Sequence, residues 1–149
     1  MAVHRDQPYG CFIFLVSIEG LGDSATEQAG FSAVRGLDLS VEALPYRAGN
    51  YKTNAPTLIP GRANPLTVTL TRGIIGDLTL YEWFRDSLNG APERRNVVIE
   101  LLSEDREAVQ RWILRNAWPT ALEGPELDAM GNSVAIERLV LVAESMIIE

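Results

Sequence analysis

Apolar positions along the chain form two kinds of run. The first kind is apolar on both alternating faces. "YGCFIFLVSIEG", from Tyr9 to Gly20, carries Phe12, Phe14, Val16 and Ile18 on one side and Cys11, Ile13 and Leu15 on the other. The last run, "NSVAIERLVLVAESMIIE", is apolar on both faces from Leu139 onward. A strand of this kind expects cover on both sides, from its own core or from a neighbouring chain. The second kind alternates. In "GLDLSVEA", Leu37, Leu39, Val41 and Ala43 alternate with Asp38, Ser40 and Glu42, and in "PLTVTLTRG", Leu66, Val68 and Leu70 alternate with Thr67, Thr69 and Thr71. Such strands predict one buried and one wet face.

The two alternating strands are expected to pair, because a single excursion, "YRAGNYKTNAPTLIPGRAN", joins them. Structureless connections beyond about 15 residues are uncommon in compact domains and are usually functional or disordered. This one holds Tyr46, Tyr51, Leu58 and Ile59, with Arg47 and Lys52 among them, and is too apolar for a solvated linker. It is read as an arm that docks on another chain, with a flexible surface loop as the alternative. "GLGDSATEQAG" reads as a turn or loop.

One helix is predicted over "GDLTLYEWFRDSLNG", with Asp77 as N-cap and Gly90 just past the end. Leu80, Tyr81, Phe84 and Leu88 form its expected apolar stripe, Glu82, Arg85, Asp86 and Asn89 face away, and Trp83 lies off the stripe, half exposed. "NVVIELL" and "VQRWILRNAW" flank the polar turn "SEDREA" as a hairpin. Beyond it, Pro119 and Pro125 in "RNAWPTALEGPELDA" interrupt pairing and hold a bent connection to the final strand. Phe84, Trp112 and Trp118 are the expected core anchors, Trp118 fixing that bend. The fold class is mainly β or α+β, a single domain over residues 1–149, with two antiparallel sheets in a barrel-like sandwich and one flanking helix.

Composition narrows the function. Across 149 residues the chain is 46% apolar and 22% charged, with a net charge of −7. That is an ordinary globular mix without the basic stripe a nucleic-acid surface needs. One cysteine, Cys11, and one histidine, His4, build neither a disulfide framework nor a metal site. Cys11 is expected as a buried thiol in an apolar strand, and His4 lies in a terminus expected to fray. No apolar run approaches a membrane span and the N-terminus lacks a signal-peptide core, so synthesis in the cytoplasm is expected. Gly20 and Gly22 lack phosphate-loop spacing. Ser24, Ser32 and Ser133 have no partner base, and Glu123, Glu126 and Asp128 read as a solvated acidic turn. No enzyme and no cofactor is expected.

Five segments in order resemble the T4-like phage tail-tube family, which also supplies inner tubes of extracellular contractile injection systems. They are "YGCFIFLVSIEGL", "FSAVRGLDLSVEALPYRAGN", "IPGRANPLTVTLTRGI", "YEWFRD" with "ERRNVVIELLSED", and "RWILRNAWPTALEGPELDAMGNSVAIERLVL". Thr71, Ser133 and the ending "ESMIIE" depart from the family pattern. The resemblance implies a subunit of hexameric rings that stack into a hollow tube inside a contractile sheath, with strands from six subunits closing one inner β-barrel. It implies a two-sheet fold with a flanking helix, like the type VI secretion tube protein. The implied partners are further copies of the chain, sheath subunits, baseplate and terminator or cap proteins, and protein or DNA cargo. Specific nucleic-acid binding is not implied, and a membrane is met only on delivery. The implied destination is a phage tail or a released extracellular particle.

A ring needs heterologous contacts, and stacking adds more. Phe12, Phe14, Leu139, Leu141 and Ile147, on the doubly apolar strands, are therefore candidate inter-subunit positions. The arm residues Tyr46, Arg47, Tyr51, Lys52, Leu58 and Ile59 are candidates for contact between rings. Asp38, Ser40 and Glu42, with Thr67, Thr69 and Thr71, form a small, polar, acidic set expected to line the lumen, or else the tube exterior. A tube-initiator or terminal adaptor ring is the alternative within the class. A small ligand-binding β-barrel with an apolar pocket is the alternative outside it.

Overall fold

The structure, a computed structural model, describes residues 2–21 and 30–149. The predicted loop over 20–30 falls largely outside the described residues, as does Ser24. Among the described residues nine strands and one helix follow in order: β1 (Phe14–Ile18), β2 (Phe31–Arg35), β3 (Val41–Tyr46), β4 (Thr57–Ala63), β5 (Leu66–Gly73), α1 (Thr79–Leu88), β6 (Arg95–Leu102), β7 (Ala108–Glu123), β8 (Ile136–Ala143) and β9 (Ser145–Ile148). Seven strands join in the order β1-β6-β7-β8-β5-β2, with β9 also on β7, while among the described residues β3 and β4 pair only with each other. All pairings are antiparallel.

The sixteen-residue β7 makes this arrangement fold over. Its first part pairs with β6 and β9, and its last part with β8. At the changeover Asn116 adopts φ 52°, the left-handed region that asparagine tolerates better than most residues. Its amide donates to Asn96 Oδ1 (3.3 Å), and its side-chain nitrogen donates to Glu144, the residue between β8 and β9 (2.9 Å). The corner in β7 and the break between β8 and β9 are thus tied together. The two sheet halves close over one core, in which Val16, Ile18, Val97 and Ile99 meet Leu66, Val68, Leu70, Leu139 and Leu141.

The corner also decides where the tryptophans point. Arg95 sits opposite Ala117 but Val97 sits opposite Leu114, so β7 carries an extra residue there, a bulge. Leu114, Ala117 and Pro119 are all buried as a result, and Trp118 turns to the outer face beside Val142, half-buried. Trp118 is therefore not the core anchor its sequence position suggests. Pro119 lies inside β7 rather than in a loop, next to a second register shift before Ala121, a place where a strand tolerates proline. Pro125 lies in the connection between β7 and β8, as expected. Trp112 and Phe84 do pack against the core, both half-buried.

The helix forms where predicted, but its inner face differs. Leu80 and Trp83 are buried, whereas Tyr81 and Leu88 are 44% and 65% exposed. Trp83, at 2% exposure, is accommodated because its indole N–H donates to Glu93 O at 2.7 Å. The helix starts after Leu78, yet the Asp77 carboxylate still accepts from the Thr79 amide (3.0 Å) and from the Thr79 hydroxyl. Gly90, with φ 79°, ends it. The hairpin of "NVVIELL" and "VQRWILRNAW" is β6–β7.

Candidate assembly interface

The expected arm is a hairpin that leaves the body. β5 pairs with β2 on one side and β8 on the other, not with the Gly36–Ala43 segment. That segment is instead the way out. Gly36 has φ 92°, and a Cβ there would collide with the Thr67 carbonyl, so only glycine passes this crossing of β5. Leu39 and Val41, expected on a buried face, are 58% and 60% exposed. Beyond them the backbone pairs with β4 from Val41↔Ala63 to Tyr46↔Thr57, with a bulge around Glu42. Asn64 clamps the hairpin base, its backbone amide donating to Ser40 O and its side-chain nitrogen to Ser40 Oγ, both at 3.0 Å. Arg47 orders the tip by donating to Thr53 O (2.9 Å) and Tyr51 O (3.1 Å), while Lys52 is exposed beside it. Along the hairpin Leu44, Tyr46, Leu58 and Ile59 are 44–66% exposed.

The six polar residues proposed for one face are split. Thr67, Thr69 and Thr71 share the outer face of β5, where Arg35 sits opposite Thr69 and Arg138 opposite Thr71. Ser40 and Glu42 belong to the arm and its base, and Asp38 to the segment before it. The threonine face is therefore not acidic.

The doubly apolar termini also resolve. Leu139 and Leu141 are 1% exposed in the chain's own core, so they offer nothing to a neighbour; Val140 and Val142 occupy the outward positions. Ile147 is 39% exposed and Phe12 is 76% exposed, while Phe14 is half-buried against the core. The first strand begins only at Phe14, which leaves Cys11 exposed rather than buried. The N-terminal segment is tethered by Val3 N donating to Val109 O (2.8 Å) and by Arg5, which pairs with Glu104 (2.8 Å) and lies over the Tyr9 ring. Between β1 and β2, the two ends of the strand order, an apolar cavity of about 400 Å³ is lined by Phe14, Leu37, Ile99 and Trp112, with Cys11 among its walls.

One charged cluster escaped the sequence reading. Arg72 follows Leu66, Val68 and Leu70 on the inward side of β5 and is 1% exposed. It donates to its cross-strand partner Glu137 (2.6 Å) and to Asp77 O (2.9 Å), with the Asp77 carboxylate at 3.5 Å. Asp77 is held below its ordinary value of 3.8, chiefly by the Thr79 hydroxyl and amide and then by Arg72. Its signal in the sequence is a charge on an apolar register. The cluster ties the start of α1 to the edge of β5 and β8. A second group also went unread: Ile75, Leu127, Met130 and Val134, in connections at one end of the sheet, are 61–95% exposed.

A profile of the T4-like virus tail tube protein gp19 family matches residues 11–147. The chain belongs to this tail tube family. Its members are structural tube proteins of phage tails and contractile injection systems. The fold is similar to that of a chain in the PVC sheath–tube complex of an extracellular contractile injection system in the extended state, with TM-score 0.84 and 28% identity over 97% of this chain and 93% of that one. It is similar to a chain of the anti-feeding prophage tube-terminating cap, with TM-score 0.83 and 27% identity over 100% and 95%. Hcp1 from Flavobacterium johnsoniae shares the fold at TM-score 0.60 and 14% identity, over 92% and 94%. No curated protein sequence matches at a significant level. Among the described residues no helix is long and apolar enough to cross a membrane, and no cluster of metal-ligating side chains occurs.

Proposed function

We propose that the chain is a building block of the inner tube of a contractile particle, acting by self-assembly into six-membered rings that stack inside a sheath, and that it catalyses no reaction. The observation that carries this reading is the β3–β4 arm. A soluble chain that closes its own core gains nothing from a separate hairpin exposing Leu44, Tyr46, Leu58 and Ile59, unless another surface covers them. Joining sheets across subunits would also remove the free edges of β1 and β2. The partners on this reading are other copies, sheath subunits, a baseplate and a terminator, with cargo inside. The destination is a phage tail or extracellular particle. The face of Thr67, Thr69 and Thr71 is the proposed conduit wall, because the opposite face of β5 is filled by the chain's own core.

A second reading, a terminating ring at the tube's end, is favoured by the close match to the cap chain, nearly equal to that of the sheath–tube chain. Negative-stain electron microscopy of the purified protein separates the two. Hollow tubes support the tube subunit, rings that never stack support the terminator, and a monomer at high concentration refutes both. With Cys11→Ser and Thr69→Cys in such tubes, a bulky thiol reagent should label poorly until the tubes are disassembled; ready labelling of intact tubes would remove Thr69 from the conduit.

A further inference from the structure

Two of the exposed apolar groups among the described residues, the arm and the 124–135 connection, lie at opposite ends of one strand pair. The arm returns to the body through Asn64 and Pro65 into Leu66, the first residue of β5. The connection 124–135 delivers the chain to Ile136, which sits opposite Gly73, the last residue of β5. Ile74 N donates to Ala135 O at 3.0 Å, so the segment after β5 and this connection share that end. At about 3.4 Å per residue, the two ends are roughly 24 Å apart.

Their chemistry is complementary. The arm, residues 41–63, holds Arg47, Lys52 and Arg62 against Glu42, a net +2 on a chain of −7, which leaves −9 for the rest. The far end carries Glu126 and Asp128 within 124–135, and no basic residue there. It also presents Leu127, Met130 and Val134 at 84%, 95% and 81% exposure, held out by a turn in which the Met130 amide donates to Asp128 Oδ1 and the Gly131 amide to Asp128 O, each at 3.0 Å. Apolar side chains displayed so fully on an ordered turn match the apolar side chains on the arm. Opposite charge at the two ends favours arm against far end and disfavours arm against arm.

We infer that the β3–β4 arm of one copy docks on the 124–135 connection of the next copy. This head-to-tail contact is heterologous, so it leaves a free arm and a free receiving end on every addition, which is the condition for an open stack. The inference rests on the tube reading and names the receiving surface within it.

The test is a cross-link in assembled protein. In a Cys11→Ser background, Leu58→Cys and Leu127→Cys are introduced singly and together, both at exposed positions outside the core, and a short bis-maleimide is added after assembly. The double variant should give a ladder of covalent multimers, and either single variant should give monomer. Tubes of the double variant that yield no ladder would overturn the docking while leaving the tube reading intact. Dimers from Leu58→Cys alone would show arms meeting arms and would also overturn it. A Cys11→Ser chain, with the arm and the 124–135 connection otherwise intact, that never assembles by electron microscopy would overturn both.

Discussion

The segment β5 and the segment leading into β3 carry the same sequence pattern and meet opposite fates. Leu66, Val68 and Leu70 are 4%, 0% and 1% exposed, whereas Leu39 and Val41, with the same alternation, are 58% and 60% exposed. Alternation reports that a strand has one apolar face; it says nothing about which chain supplies the cover. In β5 the cover is β6, β7 and the helix of the same molecule, gathered in one core. In the arm, among the described residues, there is only the partner strand of the hairpin. The difference teaches that the body holds the fold while the arm leaves its apolar face uncovered.

The strongest way to sharpen that contrast is to remove a large side chain from each side of the body. Trp83→Ala empties a site 2% exposed and strands the Glu93 carbonyl that its N–H satisfied. A loss of about 3–5 kcal/mol is expected in urea unfolding of the monomer. Trp118→Ala, on the outer face beside Val142, should cost about 1 kcal/mol, near the centre of ordinary substitutions. Equal losses would mean that the corner at Asn116 does not turn Trp118 outward.

That corner marks where the sequence stopped being legible. β5, β8 and the β6–β7 hairpin could be anticipated from periodicity, because alternation is a local property, whereas β2 and β4 carried no such signal. The partner of β5 was not anticipated, since it is β8, some seventy residues further on, rather than the nearer alternating segment. A bulge moves every later side chain to the other face, and nothing short of the register shows that Leu114 and Ala117 both point inward. The helix face was misread for a related reason. The acceptor that lets Trp83 be buried lies past the helix, at Glu93, so the wheel favoured Tyr81 and Leu88. Of the candidate contact residues, the arm was legible as an apolar excursion. The far end at 124–135 was not, because turn-forming residues around Leu127 and Met130 resemble any solvated loop.

A smaller effect tests how the helix is fastened to the body. Asp77 is held below its ordinary value by Thr79 first and Arg72 after, so its charged form stabilises the fold. A depressed carboxylate contributes fully above its unfolded value of 3.8, and the contribution fades as pH falls through the lower folded value. Asp77→Asn should therefore lower stability at pH 7 and lose that deficit progressively below pH 3.8. A deficit that stays constant into strong acid would assign the loss to packing instead of charge.

The smallest expected effect on stability tests the arm most directly. Leu58 is 66% exposed and Ile59 44% exposed, and among the described residues β4 pairs with no strand but β3. Replacing both by serine removes apolar groups that the folded chain already leaves in water, so monomer stability should move by no more than about 0.5 kcal/mol. If the arm serves assembly, the same double substitution should abolish tubes in electron micrographs while circular dichroism and the urea midpoint stay unchanged. Tubes of normal length from this variant would sever the arm from assembly. A large fall in the urea midpoint would instead place the hairpin within the folding unit, and the contrast between β5 and β3–β4 would then be one of solvent exposure alone.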